Sequence, residues 1–289
     1  MDLSIVIVSW NVKNLVRENL NAIIANSRGI EYEIFVVDND SKDDTAQMIK
    51  TEFASRNEIK LIANNYNAGF SKANNQAIKL SRGRYVLLLN PDMRVMPGTL
   101  EKMIKWLDEH KQAGVGGCHL IKESGETVPQ IRHFPGALNQ LAIVLKLPHL
   151  FPSVLDGYLQ KDFDYEKDSA VESIRGSFFM IRREVLEKVG WLDERYFIWF
   201  EEVDYCRRVR VAGWEIMYAA DIKCVDYVGR SFSQVKRDKT QEYFRDSMLK
   251  YFKKWQPIWQ YYILKIFWPV GIFIARLSEI ANLKSRRKT

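Results

Sequence analysis

The chain has 289 residues, 47% of them hydrophobic and 12% aromatic, which is enough apolar material for a sizeable core and excludes a disordered or low-complexity protein. Its three cysteines (Cys118, Cys206, Cys224) are far apart and its four histidines show no metal-ligand spacing, which argues against a zinc site or disulfide framework and for a reducing, cytoplasmic setting. The net charge of +7 sits at one end: residues 236–289 hold 13 Lys and Arg against 4 Asp and Glu, a net of +9, and residues 1–235 a net of −2.

Residues 4–10 are almost wholly apolar and read as a first strand; the apolar run from Leu3 to Val8 is short and no basic residue precedes it, so no signal peptide is expected. Residues 14–25 follow as a helix with Leu15, Leu20, Ile23 and Ile24 on one stripe. Residues 34–37 are a second buried strand. Ser41 is placed to cap the next helix, with Asp43 and Asp44 in its first turn. A third strand (60–63), a helix (71–81, closed by Gly83), a fourth strand (85–89) and a helix (99–110) complete a β-α repeat with short connections. That order predicts a mostly parallel, doubly wound sheet. Residues 123–175 carry scattered Gly, Pro and acids and give no clear elements. Beyond them, strands are expected at 177–181 and 216–219, and helices at 202–212 and 242–255.

Residues 258–275 are apolar except for Gln260 and Lys265, approaching the length of a membrane span. Lys265 lies inside, Pro269 would kink it and both flanks are basic, so an in-plane or re-entrant helix fits better, with Trp255, Trp259, Tyr261, Tyr262 and Trp268 at the interface. The basic excess flanks this aromatic run, which favours a membrane surface over nucleic acid. A helix packed on the domain, or on a second subunit of a homo-oligomer, is the other reading.

Four constellations can carry chemistry. Asp38 ends the second strand, where a carboxylate could take the N3–H of uracil or thymine, hold a ribose, or simply cap a turn. The loop after the first strand, Ser9-Trp10-Asn11-Val12-Lys13, lacks the glycines of a nicotinamide-binding turn. The run from Asn64 to Phe70, with Asn67 and Gly69, leads into Asn74 and Asn75 and offers many donors and acceptors to a polar ligand. Asn90-Pro91-Asp92 stops a buried strand on a carboxylate, because Pro91 cannot join a ladder. Glu201-Glu202-Val203-Asp204 packs three acids beside Tyr196, Phe197, Trp199 and Phe200; aromatic burial can raise a carboxyl pKa toward that of a general base.

These motifs, with Arg132-x-Phe134-Pro135, Gly176, Leu192-Asp193-Glu194 and the block from Phe200 to Gly213, resemble the family 2 glycosyltransferases of GT-A fold, close to their rhamnosyltransferase-like branch. The likeness runs from Ser4 to about Ser231. It implies that Asp38 holds the base of a nucleoside diphosphate sugar, with Ser9 and Asn11 in the same pocket and Asn67, Gly69, Asn75 and Asn90 bordering the nucleotide. It implies that Asp92 binds Mg²⁺ or Mn²⁺ on the diphosphate, that Arg132 supports phosphate or acceptor, and that Glu202 is the general base. Two departures stand out. The family usually has Asp at Glu202, so the role could pass to Glu201 or Asp204; and it often has a metal-binding His where this chain has Asp226.

The expectation is therefore a GT-A catalytic domain over residues 1–235 and basic, aromatic C-terminal helices over 236–289, membrane-associated or packed on the domain. The implied activity is inverting, metal-dependent transfer of a sugar, rhamnose above others, from a dTDP- or UDP-sugar to a glycan or lipid-linked glycan at the cytoplasmic face of a bacterial inner membrane. The alternatives are a catalytically dead nucleotide-sugar-binding scaffold and a sugar nucleotidyltransferase; the latter predicts a Gly-rich loop after the first strand.

Overall fold

The computed structural model describes residues 1–227 and 237–286. Strand and helix alternate at first: β1 (Leu3–Ser9), α1 (Lys13–Asn26), β2 (Tyr32–Asn39), α2 (Thr45–Glu52), β3 (Ile59–Asn64), α3 (Phe70–Ile78) and β4 (Tyr85–Leu89). Next come β5 (Met93–Val95), α4 (Thr99–Glu109) and β6 (Ala113–Ile121). The stretch that gave no clear elements holds β7 (Ile131–Arg132), α5 (Ala137–Val144), short 3-10 turns, β8 (Ser169–Val171) and β9 (Ser173–Ile174). Then follow β10 (Phe178–Arg182), α6 (Arg183–Val189), α7 (Glu201–Val211), β11 (Glu215–Asp226), α8 (Arg237–Trp255) and α9 (Ile258–Arg286).

The main sheet runs β3-β2-β1-β4-β10-β6-β11-β5, with β8 also paired to β11. Its first four strands are parallel, as is the pair β6–β11. The sheet is mostly parallel, as expected, and its other half adds antiparallel strands. β10 enters antiparallel between β4 and β6, and β5 and β8 run antiparallel to β11. An apolar run buried on both faces, such as Phe178 to Ile181, looks the same in either direction. β7 and β9 form a separate two-stranded sheet.

Side chains alternate across the sheet and fill two layers. Ile5, Ile7, Val36 and Leu87 pack with Val16 and Leu20 of α1 and Met103 and Leu107 of α4. Val6, Val37 and Leu88 pack on the other face with Ala73 and Ala77 of α3 and Tyr205 and Val209 of α7.

Four local expectations fail for identifiable reasons. Ser41 does not cap α2: its hydroxyl accepts the Asn11 N–H (2.8 Å), while Asp44, in a left-handed conformation, precedes the helix. Asp43 is outside the first turn and accepts the N–H of Lys13 and Thr45. Gly83 does not close α3, which ends at Ile78; an ideal Cβ there would lie 2.4 Å from the Ser4 nitrogen, so it is a close-approach glycine. And β11 runs on past Ala219 to Asp226 through a bulge, whose Ala220 N–H is taken by Asp168 (2.8 Å) and whose carbonyl meets the His119 ring.

A third apolar cluster joins α5, α8 and α9 to the aromatic segment before α7: Val144, Tyr196, Phe200, Met248, Tyr251, Phe252 and Leu264. At its centre is Asp204, fully buried. It accepts from Trp255 Nε1 (2.6 Å) and Arg208 Nε (3.0 Å) and is ion-paired to Lys254 (2.6 Å). The C-terminal helices thus pack on the body of the protein; the boundary expected at 235/236 lies outside the described residues, as do Arg230 and Ser231. The outward face of α9 is apolar instead of polar: Ile258, Trp259, Tyr262, Ile266, Val270 and Phe273 are all more than 40% exposed, with Lys265 beside them. Among the described residues no helix is long and apolar enough to cross a membrane.

Removing one partner from a buried ion pair strands the other charge. Asp204→Ala is therefore expected to cost about 3–5 kcal/mol in urea unfolding, because it strands Lys254 and Arg208. A loss below about 1 kcal/mol, typical of exposed pairs, would contradict its place as the anchor of α8.

Candidate active site

A cleft of about 930 Å³ opens at the carboxyl ends of β1, β2 and β4. Ser9, Trp10, Asn39, Asn67 and Gly69 form one wall; Asn90, Pro91, Asp92 and Asp226 the floor; Arg132, Arg175 and Gly176 another wall. Phe197, Trp199, Glu201 and Glu202 close it with Lys239, Glu242 and Tyr243 of α8. The C-terminal helices are thus part of the site. The volume is in the range of pockets for small molecules and cofactors.

The strand-end turn is built by neighbours. Asn90 donates its N–H to Ser177 (2.9 Å), and its carbonyl accepts from Asn19 Nδ2 (2.8 Å). The Asp92 carbonyl accepts the Tyr227 N–H (3.1 Å), and Asp226 stands opposite Met93 in the β5–β11 ladder. Both carboxylates, 3% exposed, therefore come to the same floor from segments far apart in the chain. Asp226 is also ion-paired to Arg175 Nη1 (3.4 Å).

The amide-rich segment divides between the cleft and the protein's own contacts. Asn67 lines the cleft and its Oδ1 accepts the Gly69 N–H (3.0 Å). Asn75 does not reach the cleft. Its Nδ2 donates to Leu192 O (2.9 Å) and Glu194 Oε1 (3.0 Å), and its Oδ1 accepts the Leu192 N–H (3.1 Å). Gly69 has φ +80°, and an ideal Cβ would lie 2.6 Å from Phe197 O, the acceptor of the Phe70 N–H. The start of α3 is thereby clamped to the aromatic segment that carries the acids. Asn11 and Asp38 also stop short of the cleft surface: Ser9 Oγ and Ser41 N–H donate to Asp38 (both 3.1 Å), and Asn11 Oδ1 accepts the Lys42 N–H (2.6 Å). Their polar atoms tie the loops after β1 and β2 together, beneath Ser9 and Asn39.

Trp199 and Phe200 adopt left-handed backbone (φ +65° and +66°), costing on the order of 1–2 kcal/mol each. Phe200 offsets this by burial against Phe244 and Tyr251, and Ser247 Oγ holds Ile198 O (2.7 Å). The turn delivers Glu201 and Glu202 to the first turn of α7, facing inward. One oxygen of each is buried without a hydrogen-bond partner among the described residues. Burial pushes the Glu201 carboxyl well above the usual range, and the neighbouring Glu202 charge adds to it. Burial raises Glu202 as well, but the amides of the helix start, Arg132 and Arg175 pull the other way. Burial thus raises both carboxyls, Glu201 the more, and the two arginines favour charge on Glu202. Asp204 plays no part in the cleft, because its oxygens are taken by Trp255, Lys254 and Arg208.

Sequence reasoning missed Arg175, Asn39 and the α8 residues Lys239, Glu242 and Tyr243. Arg175 carried one signal, a position next to Gly176, whose place for a Cβ is 3.5 Å from that of Glu202.

The model of the family described as "Glycosyl transferase family 2" matches residues 4–190. The Minor teichoic acid biosynthesis protein GgaB of Bacillus subtilis is 32% identical over 111 residues, 38% of this chain and 12% of that protein. The N-acetylglucosaminyl-diphospho-decaprenol L-rhamnosyltransferase of Mycobacterium tuberculosis is 24% identical over 211 residues, 68% of this chain and 67% of that protein. The chain therefore spans only a small part of GgaB. In fold, the mannosyltransferase PcManGT of Pyrobaculum calidifontis, solved with GDP-Man and Mn²⁺, superposes with a TM-score of 0.60 at 17% identity, over 98% of this chain and 75% of that one.

The coupled carboxyls give a direct check. Glu202→Gln removes the adjacent charge, so the Glu201 pKa should fall in ¹³C-carboxyl NMR while staying above 4.5, because burial is its larger cause. An unmoved Glu201 would mean that the two groups do not interact.

Proposed function

The chain belongs to glycosyl transferase family 2 and has the mixed α/β GT-A fold, and from that premise we propose that it is an inverting glycosyltransferase. It moves a sugar, rhamnose above others, from a dTDP- or UDP-sugar to a hydroxyl of a glycan or lipid-linked glycan in cell-surface polysaccharide synthesis. The names of its relatives, a teichoic acid biosynthesis protein and a rhamnosyltransferase, support that acceptor and sugar. The observation that carries the reading is the Glu201–Glu202 pair, Glu201 buried and Glu202 half-buried, in a cleft that also holds Asp92 and two arginines.

In the reaction, Glu202 takes the proton of the acceptor hydroxyl. The hydroxyl oxygen attacks the anomeric carbon from the face opposite the phosphate. The carbon–oxygen bond to the diphosphate breaks, and its electron pair leaves with the nucleoside diphosphate. Glu201, neutral, can donate a hydrogen bond without competing for that proton. Ser9, Asn39 and Asn67, with Trp10, offer the nucleoside end polar atoms and a ring; Asp38 and Asn11 hold that wall in place. Asp92 and Asp226 offer oxygen donors only, which suits Mg²⁺ or Mn²⁺ completing its shell with donor phosphates. Bound there, the ion would offset charge on the leaving group. Gly176 lies opposite Glu202, where a Cβ would come 3.5 Å from the glutamate's own.

The outward apolar face of α9 favours a membrane surface as the working place, with Trp259 and Tyr262 at headgroup level and basic residues around them. Trp259→Asp/Ile266→Asp should release the protein from phosphatidylglycerol vesicles in a sedimentation assay. Unchanged sedimentation, or a shift from dimer to monomer with no effect on vesicles, would count against it.

Nucleoside diphosphate release from a panel of dTDP- and UDP-sugars, with a lipid-linked glycan, tests the activity. Glu202→Gln should lower turnover by about 10²–10⁴-fold, the usual contribution of a general base. Glu201→Gln should stay within about tenfold, since it replaces a group that is already neutral. The reverse pattern would exchange the two roles. Binding of donor without hydrolysis or transfer would support the scaffold reading.

A further inference from the structure

The floor of the cleft presents an unusual charge balance for a diphosphate. Asp92 and Asp226 are buried there, and Glu202 stands above them. Among the described residues, three cationic side chains line the cleft: Arg132, Arg175 and Lys239, and Lys239 is ion-paired to Glu242 (2.7 Å). Arg175 is the one of these against the floor. Its backbone N–H is fixed to Gln130 O (3.2 Å), and Gln130 is itself held on Cys118 O (2.6 Å). Its guanidinium rests by Nη1 on Asp226, which is 2% exposed against 27% for the arginine. The buried carboxylate holds the guanidinium by charge, and Arg175 itself lines the cleft.

We propose that Arg175, seated on Asp226 at the end of β11, is the cation that binds the donor's diphosphate in this cleft and supplies much of the charge neutralisation there. The proposal rests on the glycosyltransferase reading and assigns a residue within it. A guanidinium suits that role because it is always charged and presents several donors in a plane that matches two phosphate oxygens at once. Its position explains a second feature. Arg175 also acts, together with Arg132, to favour charge on Glu202 against burial, so it lies within reach of both the leaving-group end and the base end of the reaction. It also gives Asp226 a role that a histidine could not fill, since neutral imidazole would not hold an arginine by charge. Divalent metal then adds to nucleotide binding without being required for it.

Titration calorimetry with UDP and with dTDP, in Mg²⁺ and in EDTA, tests this on the whole chain. Wild-type affinity should survive EDTA within about tenfold, and Arg175→Gln should lose about ten- to a hundredfold in both buffers, the usual worth of hydrogen bonds to a charged group. Arg175→Lys, which keeps the charge, should recover part of that loss. Thermal melts of each variant separate this from misfolding. The proposal is overturned if Arg175→Gln binds as wild type does, or if EDTA alone abolishes wild-type binding. If neither nucleotide binds the wild type in either buffer, the glycosyltransferase reading itself falls.

Discussion

Two carboxyl groups on successive residues, each with an oxygen withdrawn from water, cannot both carry charge at modest cost. Glu201 and Glu202 are in that position, and much of the surrounding architecture can be read as a response to it. The left-handed turn at Trp199 and Phe200 aims both side chains inward. The amides at the start of α7 and the arginines at 132 and 175 favour charge on Glu202, and burial works against it most strongly on Glu201. The outcome is two carboxyls of one residue type in different electrostatic surroundings.

That arrangement needs a rigid mount, and the mount is distributed. Asn75 and Gly69 join the start of α3 to the segment from Leu192 to Phe197. Asp204 fastens the far side of α7's first turn to Lys254 and Trp255 at the end of α8. The helices after residue 236 therefore do more than cover the domain. They complete the cleft through Tyr243, which stacks on Phe197 at 4.4 Å, and they turn an apolar face outward through α9.

The strands before residue 90 were legible because each is an apolar run bounded by polar turns, and Asn90-Pro91-Asp92 was legible because proline must stop the ladder. The acids at 201, 202 and 204 were visible as a cluster, but only packing could separate them. A buried carboxylate or amide looks the same in sequence whether its partner is a ligand or the protein, and the structure shows protein partners for Asp204, Asn75 and Asp38. Arg175 was hidden for another reason. It meets Arg132 only through a sheet of two-residue strands, 43 positions apart, and nothing so short shows a period. Strand direction at β10 was likewise absent from a run that is apolar throughout.

The division of labour between Glu201 and Glu202 is the central claim, and the pH dependence of kcat for sugar transfer tests it most directly. The base must be ionised, so the rate should fall as pH drops through the raised pKa of Glu202. A single-proton acid limb is expected, with its midpoint above 4.5. A limb of two protons would mean that both carboxylates must be charged, and a midpoint at or below 4.5 would mean that Glu202 is not held in the environment described. Either result would contradict the division of roles.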